Sequence, residues 1–228
     1  MKKIFRTLTI IFCAVIPAMM LTSCLGDSDD GQNQILTSNF VSYEGMRGSN
    51  PIFSYTNPKT NVPVMLTGDL TNLPTMVEGD RCYMSYYLPA GVPEDAYTDC
   101  SVNILQLVVA LTSPLEAAPA PSTEIPGIDI NLRTMFINGN YLNLLGRANF
   151  SKNPAFTITY VPESVSTGTV EVYISFTAET DGSSRDLDLP ASFNIGTIWS
   201  NPQVTALNIH IRNNNAGIGT SPFLIKKS

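Results

Sequence analysis

An all-β chain is the fold class this sequence predicts: a small barrel or compact sandwich, then a larger antiparallel β-sandwich. Three observations predict it. Beyond the N-terminus, no long stretch carries apolar residues at helical spacing. Short runs of alternating apolar and polar residues recur along the chain instead. Sixteen prolines and fifteen glycines separate those runs as turns.

The first half offers strands at 35–43, 51–55, 62–67, 81–88 and 100–111. Five short strands suit a domain spanning 39–112. Glu78-Gly79-Asp80-Arg81 reads as a tight turn feeding the fourth strand, with Gly79 supplying a positive φ. The run from Val102 to Leu111 is the most apolar segment outside the N-terminus and is expected to be central. Composition then changes. Residues 113–127 hold four prolines and no alternation, which predicts a semi-rigid linker, with a long surface loop as the alternative.

Strands resume at 128–137, 141–145, 155–161, 169–178, 193–199, 204–212 and 222–226, giving a second domain over 128–228. Val170, Val172, Ile174 and Phe176 alternate with polar residues, and so do Leu207, Ile209 and Ile211. One buried and one wet face is the pattern of antiparallel sheets, and roughly seven such strands predict a sandwich.

The N-terminus has a different character. Lys2, Lys3 and Arg6 precede an apolar run that Pro17 interrupts, and that run falls short of the about 20 residues a membrane span needs. Leu21-Thr22-Ser23-Cys24 resembles the bacterial lipobox. The resemblance implies a signal peptide over 1–23, cleavage before Cys24, and acylation of Cys24 as a membrane anchor. Leu25-Gly26-Asp27-Ser28-Asp29-Asp30 resembles the acidic tag of lipoproteins sent to the cell surface, and 24–38 is expected to be a flexible tether. The expected address is therefore the outer membrane, lipid-anchored, on the cell surface.

Removing 23 of the 228 residues leaves 205, and with three of 13 basic and none of 19 acidic residues lost, the net charge becomes −9. That balance argues against nucleic-acid partners, which call for basic patches. With Cys13 removed and Cys24 acylated, Cys82 and Cys100 remain, nine residues on either side of Gly91. If the strands at 83–88 and 101–107 pair around the loop at 89–99, the two thiols face each other. A disulfide there would stabilise by about 3 kcal/mol. Two buried free thiols are the alternative.

Val77-Glu78-Gly79-Asp80-Arg81, its strand, and the apolar strand through Leu111 resemble the first domain of NigD-like lipoproteins. Phe136-Ile137-Asn138-Gly139-Asn140-Tyr141-Leu142-Asn143-Leu144 is similar to the start of that family's second domain, although Phe136 stands where the family typically has Trp. The polar stretch after the strand at 172–176 is acidic here, where the family's is basic and Asn-rich. The resemblance implies an OB-like N-terminal domain, a C-terminal β-sandwich and a bacteriocin-linked immunity or accessory role. It supplies no catalytic residues.

Local chemistry is sparse. His210 is the single histidine, on a polar strand face, where a solvated side chain outweighs a metal ligand. Asp181, Asp186 and Asp188 gather in one segment, but the spacing lacks an alternating calcium pattern and Arg185 intrudes, so a hydrated hairpin loop is expected. No nucleophile elbow occurs. Gly217-Ile218-Gly219 precedes Pro222 with no helix behind it, which fits a hairpin turn. No cofactor or metal and no enzymatic activity are expected. Tyr83, Tyr87 and Tyr97 form a candidate ligand surface for a glycan or protein, with packing under a loop or on the second domain as the alternative. A fimbrillin-like structural subunit and a glycan-processing protein are the rival functions.

Overall fold

The computed structural model describes residues 34–70, 73–89, 91–92, 98–122 and 124–227. The predicted signal peptide, Cys24, the tether as far as residue 33, and Tyr97 lie outside these residues.

Five strands close the N-terminal barrel: β1 (Leu36–Arg47), β2 (Asn50–Thr56), β3 (Pro63–Asp69), β4 (Arg81–Tyr87) and β5 (Asp99–Val109), in the order β1-β2-β3-β5-β4. Only β3 and β5 run parallel. The chain alternates as pleating requires, so Cys82, Met84 and Tyr86 of β4 point inward with Val102 and Ile104 of β5. Gly79 has φ +94°, its N–H donates to the Tyr43 carbonyl, and Asp80 closes the turn by accepting from the Val77 N–H. β1 begins within the strand predicted at 35–43, ahead of the domain boundary expected at 39: Leu36 and Thr37, assigned to the tether, pair with Tyr87 and Tyr86.

The second module is a sandwich. Its strands are β6 (Leu115–Ala117), β7 (Asn131–Asn138), β8 (Tyr141–Phe150), β9 (Lys152–Tyr160), β10 (Thr169–Glu179), β11 (Arg185–Asn194), β12 (Ala206–Ile211) and β13 (Phe223–Lys226), with one helical turn, α1 (Gly196–Trp199). A five-stranded sheet, β13-β12-β10-β9-β6, and a three-stranded sheet, β11-β8-β7, share one core. Phe156 of β9 meets Phe193 of β11 edge-on at 5.5 Å, joining the sheets. Val170, Val172, Ile174 and Phe176 are all buried, each contributing about 1.5–3 kcal/mol. Gly127 crosses this sheet so closely that a Cβ there would sit 2.2 Å from the Phe176 carbonyl oxygen.

Several expectations are corrected. The predicted linker is partly a strand: within 113–127, β6 pairs in parallel with β9 and so joins the sandwich, and just before it Leu111 bridges Ala191. Proline leaves backbone acceptors and extended geometry intact, which is all a short edge strand needs. The sandwich is mixed, because β10 and β12 also run parallel. The segment 193–199 is the end of β11 followed by α1. The predicted polar loop through Asp188 is a turn at 181–184 followed by β11, which pairs with β8 along its full length. The disulfide is absent: Cys82 and Cys100 are both free and buried. Across β4 and β5, Cys82 lies opposite Val109, nine residues from Cys100, or roughly 30 Å of strand. The loop closing this hairpin is longer than the symmetric spacing about Gly91 implies.

Candidate functional site

On the middle of β8 and β11, burial extends to both faces. Leu142, Asn143 and Leu144 are all buried, and so are Leu189 through Phe193. One face looks into the sandwich core. The other carries Phe136, Asn143 and Ser192 in register; the barrel covers Asn143 and Ser192, while Phe136 stays 37% exposed at the rim. The barrel side of this seam comes from β1 and β4, whose cross-strand pairs Ser42·Arg81 and Phe40·Tyr83 face outward.

Arg81 is the centre of the seam. Only 8% of it is exposed. Its Nε donates to Ser192 Oγ at 3.1 Å, Nη1 to Ser42 Oγ at 2.9 Å and Nη2 to Asn143 Oδ1 at 3.4 Å. Ser192 Oγ in turn donates to Asn143 Oδ1 at 2.8 Å. The guanidinium carbon lies 4.2 Å from the centre of the Tyr141 ring, a cation–π contact. Burial lowers the Arg81 pKa, while Tyr141, Cys82 and Glu44 act in the opposite direction. Beside this cluster Phe40, 3% exposed, packs on Tyr83 at 5.1 Å and on Phe136 of the sandwich at 6.1 Å. Asn138 Nδ2 donates to the Thr56 carbonyl at 2.7 Å. The Leu111 N–H donates to the Pro190 carbonyl, and the Ser192 N–H to the Leu111 carbonyl. These contacts join the two modules through polar and apolar groups together.

Where the seam opens, a crevice of about 300 Å³ lies between the barrel and the turn joining β7 to β8. Ser42, Ser54 and Thr56 line one wall, and Asn138, Asn140 and Tyr141 the other, with Arg81 also in the lining. Ser54 Oγ donates to Glu44, an exposed residue that is not part of the lining. Hydroxyls, amides and one guanidinium make this lining polar, with hydrogen-bond donors and acceptors on both walls. A wider groove of about 660 Å³ runs between the ends of β7 and β13, with Phe136, Trp199 and Leu224 on its walls and Lys227 over the Trp199 ring at 5.1 Å.

The sequence-predicted site residues do not converge here. Tyr83 and Tyr87 are half-buried on the outer face of β4, and Tyr83 lies on Phe40 at the seam rather than forming an open platform. Cys82 is sealed inside the barrel, where burial and Asp80 push its thiol up to about 12, Arg81 opposing. Burial, then Asp99, also raises the Cys100 thiol. His210 is not merely solvated: it stacks flat on Tyr173 at 4.3 Å and shares a hydrogen bond with Glu171. The three aspartates are separated. Asp181 accepts from Ser183 within its turn, which lowers its pKa, while Asp186 accepts from Asn149 and Asp188 pairs with Arg147 and Arg133. Among the described residues no three His, Cys, Asp or Glu side chains gather as a metal site.

Sequence reasoning missed Arg81, Asn143 and Ser192. Asn143 and Ser192 carried a signal as polar residues inside apolar strand runs, Leu142-Asn143-Leu144-Leu145 and Ala191-Ser192-Phe193, whereas Arg81 carried none.

No family model and no curated protein sequence matches this chain. Solved structures do. A protein of unknown function from Bacteroides vulgatus superposes with a TM-score of 0.60 at 12% identity, over 85% of this chain and 90% of its own. A NigD-like immunity protein from Bacteroides caccae matches with 0.56 at 13% identity, over 84% and 97%. A candidate lipoprotein from Bacteroides fragilis matches with 0.54 at 10% identity, over 80% and 90%. At such identities the likeness is one of fold. It extends over barrel and sandwich together, since each match covers at least four-fifths of this chain.

Proposed function

We propose that this chain is a lipid-anchored envelope protein of the NigD-like kind, held in the outer membrane through Cys24 and exposed at the cell surface. It binds a ligand without transforming it, in a protective or bacteriocin-linked accessory role. The observation that carries the anchor is Leu21-Thr22-Ser23-Cys24, placed where the apolar N-terminal run ends and an acidic stretch begins. The likeness in fold to an immunity protein and to a candidate lipoprotein supports the reading. The binding role is supported by the crevice, whose lining offers hydrogen bonds and a cation from both modules.

Metabolic labelling with an alkyne-bearing palmitate tests the anchor. The chain is expected to take up label, and Cys24→Ala to abolish uptake and release the protein from the membrane. Equal labelling of the variant would overturn the anchor. External protease on intact cells tests the address, with loss of the mature chain expected and full protection contradicting surface exposure.

A strand-exchanging structural subunit remains the rival reading, motivated by the groove between the edge strands β7 and β13. β13 is only four residues long, ends in Lys226 and is followed by Lys227, features that blunt an edge against pairing. A monomer by sedimentation at micromolar concentration favours the binding role.

A further inference from the structure

We propose that the crevice between barrel and sandwich binds the carboxylate of a small hydroxylated ligand, a sugar acid, through the Arg81 guanidinium. This inference rests on reading the crevice as a binding site. Arg81 is a nearly buried cation that forms no ion pair, Glu44 acting on it only from beyond salt-bridge distance. Arg133 and Arg147 pair with Asp188, Lys152 with Glu179, His210 with Glu171 and Arg212 with Asp129, whereas Arg81 forms no ion pair with a described residue. A charge taken out of water is costly unless a counter-charge and hydrogen bonds compensate.

Its hydrogen bonding is also incomplete. A guanidinium has five N–H bonds. Three go to the neutral oxygens of Ser192, Ser42 and Asn143, the last at a long 3.4 Å. Two N–H bonds, one on each Nη, have no acceptor among the described residues. Arg81 lines the crevice, and with one N–H left on each terminal nitrogen it retains the pair of donors with which arginine can hold a carboxylate.

The rest of the lining selects the ligand body. Ser42, Ser54, Thr56, Asn138 and Asn140 present hydroxyls and amides suited to ligand hydroxyl groups. About 300 Å³ admits a ligand of one sugar ring, at the lower end of small-molecule sites. Glu44, bound to Ser54, and the chain's net charge of −6 oppose a multiply charged group. That selects a monoanionic carboxylate over a phosphate.

Ligand-observed NMR titration of the full chain in detergent tests this with glucuronate, glucose and glucose 6-phosphate. Glucuronate is expected to bind at least about tenfold more tightly than glucose. Arg81→Met should abolish the preference, with circular dichroism checking its fold. Two exposed positions guard against misfolding: Asn140→Ala should weaken glucuronate binding several-fold, and Glu44→Gln should tighten it by about threefold. Equal binding of glucose and glucuronate would overturn the carboxylate assignment and leave the crevice as a neutral sugar site. Tighter binding of glucose 6-phosphate would overturn the choice of a monoanion. Binding of none of the three, or glucuronate binding unchanged in both exposed variants, would overturn the inference, while the anchor at Cys24 stands or falls by its own labelling.

Discussion

Replacing Ser192 by alanine deletes one oxygen, yet it should cost more than most surface substitutions. Ser192 is fully buried on the barrel-covered face of β11, and its Oγ both accepts from Arg81 Nε and donates to Asn143. Without it, the buried Nε–H of a cationic group has no acceptor. Asn143 Oδ1 still receives Arg81 Nη2, so the damage concentrates on the guanidinium. An orphaned buried donor costs about 1–3 kcal/mol, and more when charged, which places Ser192→Ala near 3 kcal/mol. For a domain of this size that is roughly 6–12 °C in Tm. Ser42→Ala is the comparison. Ser42 makes a hydrogen bond of similar length to the same group, but it is half-buried on the crevice wall, where water can replace it. Its loss should be under about 1 kcal/mol. Differential scanning calorimetry of both variants gives the contrast. Equal shifts, or a neutral Ser192→Ala, would refute the idea that burial of the Arg81 cluster sets its energetic weight.

Further outcomes follow from the core and the thiols. Ile174→Asp places a charge in the fully buried centre of β10 and should abolish cooperative unfolding, visible as a lost near-ultraviolet circular dichroism signal. Cys82 is held protonated in the fold, up to about 12, so the folded state keeps its proton where the unfolded chain releases it near pH 9. Stability should therefore fall as pH rises from about 9 towards 12, with this group contributing a slope near 1.4 kcal/mol per pH unit, and Cys82→Ala should flatten the slope in urea titrations. Phe40→Ala removes the apolar contact between Tyr83 and Phe136 and should cost about 3 kcal/mol by the same titrations.

The sandwich core was legible because Val170 to Phe176 and Leu207 to Ile211 obey strict alternation with one wet face. Edge strands were harder. β6 is three residues long, too short for any periodicity. β11 was hidden by Asp186, Asp188 and Pro190, residues tolerated because β11 lies at the edge of its sheet. The cysteine pairing failed because it rested on hairpin register, which is fixed by barrel closure and by a shift between Ser85 and Tyr86. The crevice was the least legible feature. Arg81 read as the end of a turn, since nothing local reveals that the outer face of β1 and β4 meets a second sheet. A polar residue within a strand buried on both faces, as at Asn143 and Ser192, was the available clue.

Barrel and sandwich form one compact unit joined at the Arg81 seam, with the crevice as part of it. Two natural probes separate the modules: Trp199, the chain's single tryptophan, in the sandwich, and Cys82 and Cys100 in the barrel. Urea unfolding would be followed by Trp199 fluorescence and by thiol labelling of Cys82 and Cys100 read by mass spectrometry. Coincident midpoints in the parent chain, drawn apart by Ser192→Ala, are the predicted result. Barrel thiols that become reactive well before Trp199 responds in the parent chain would contradict it.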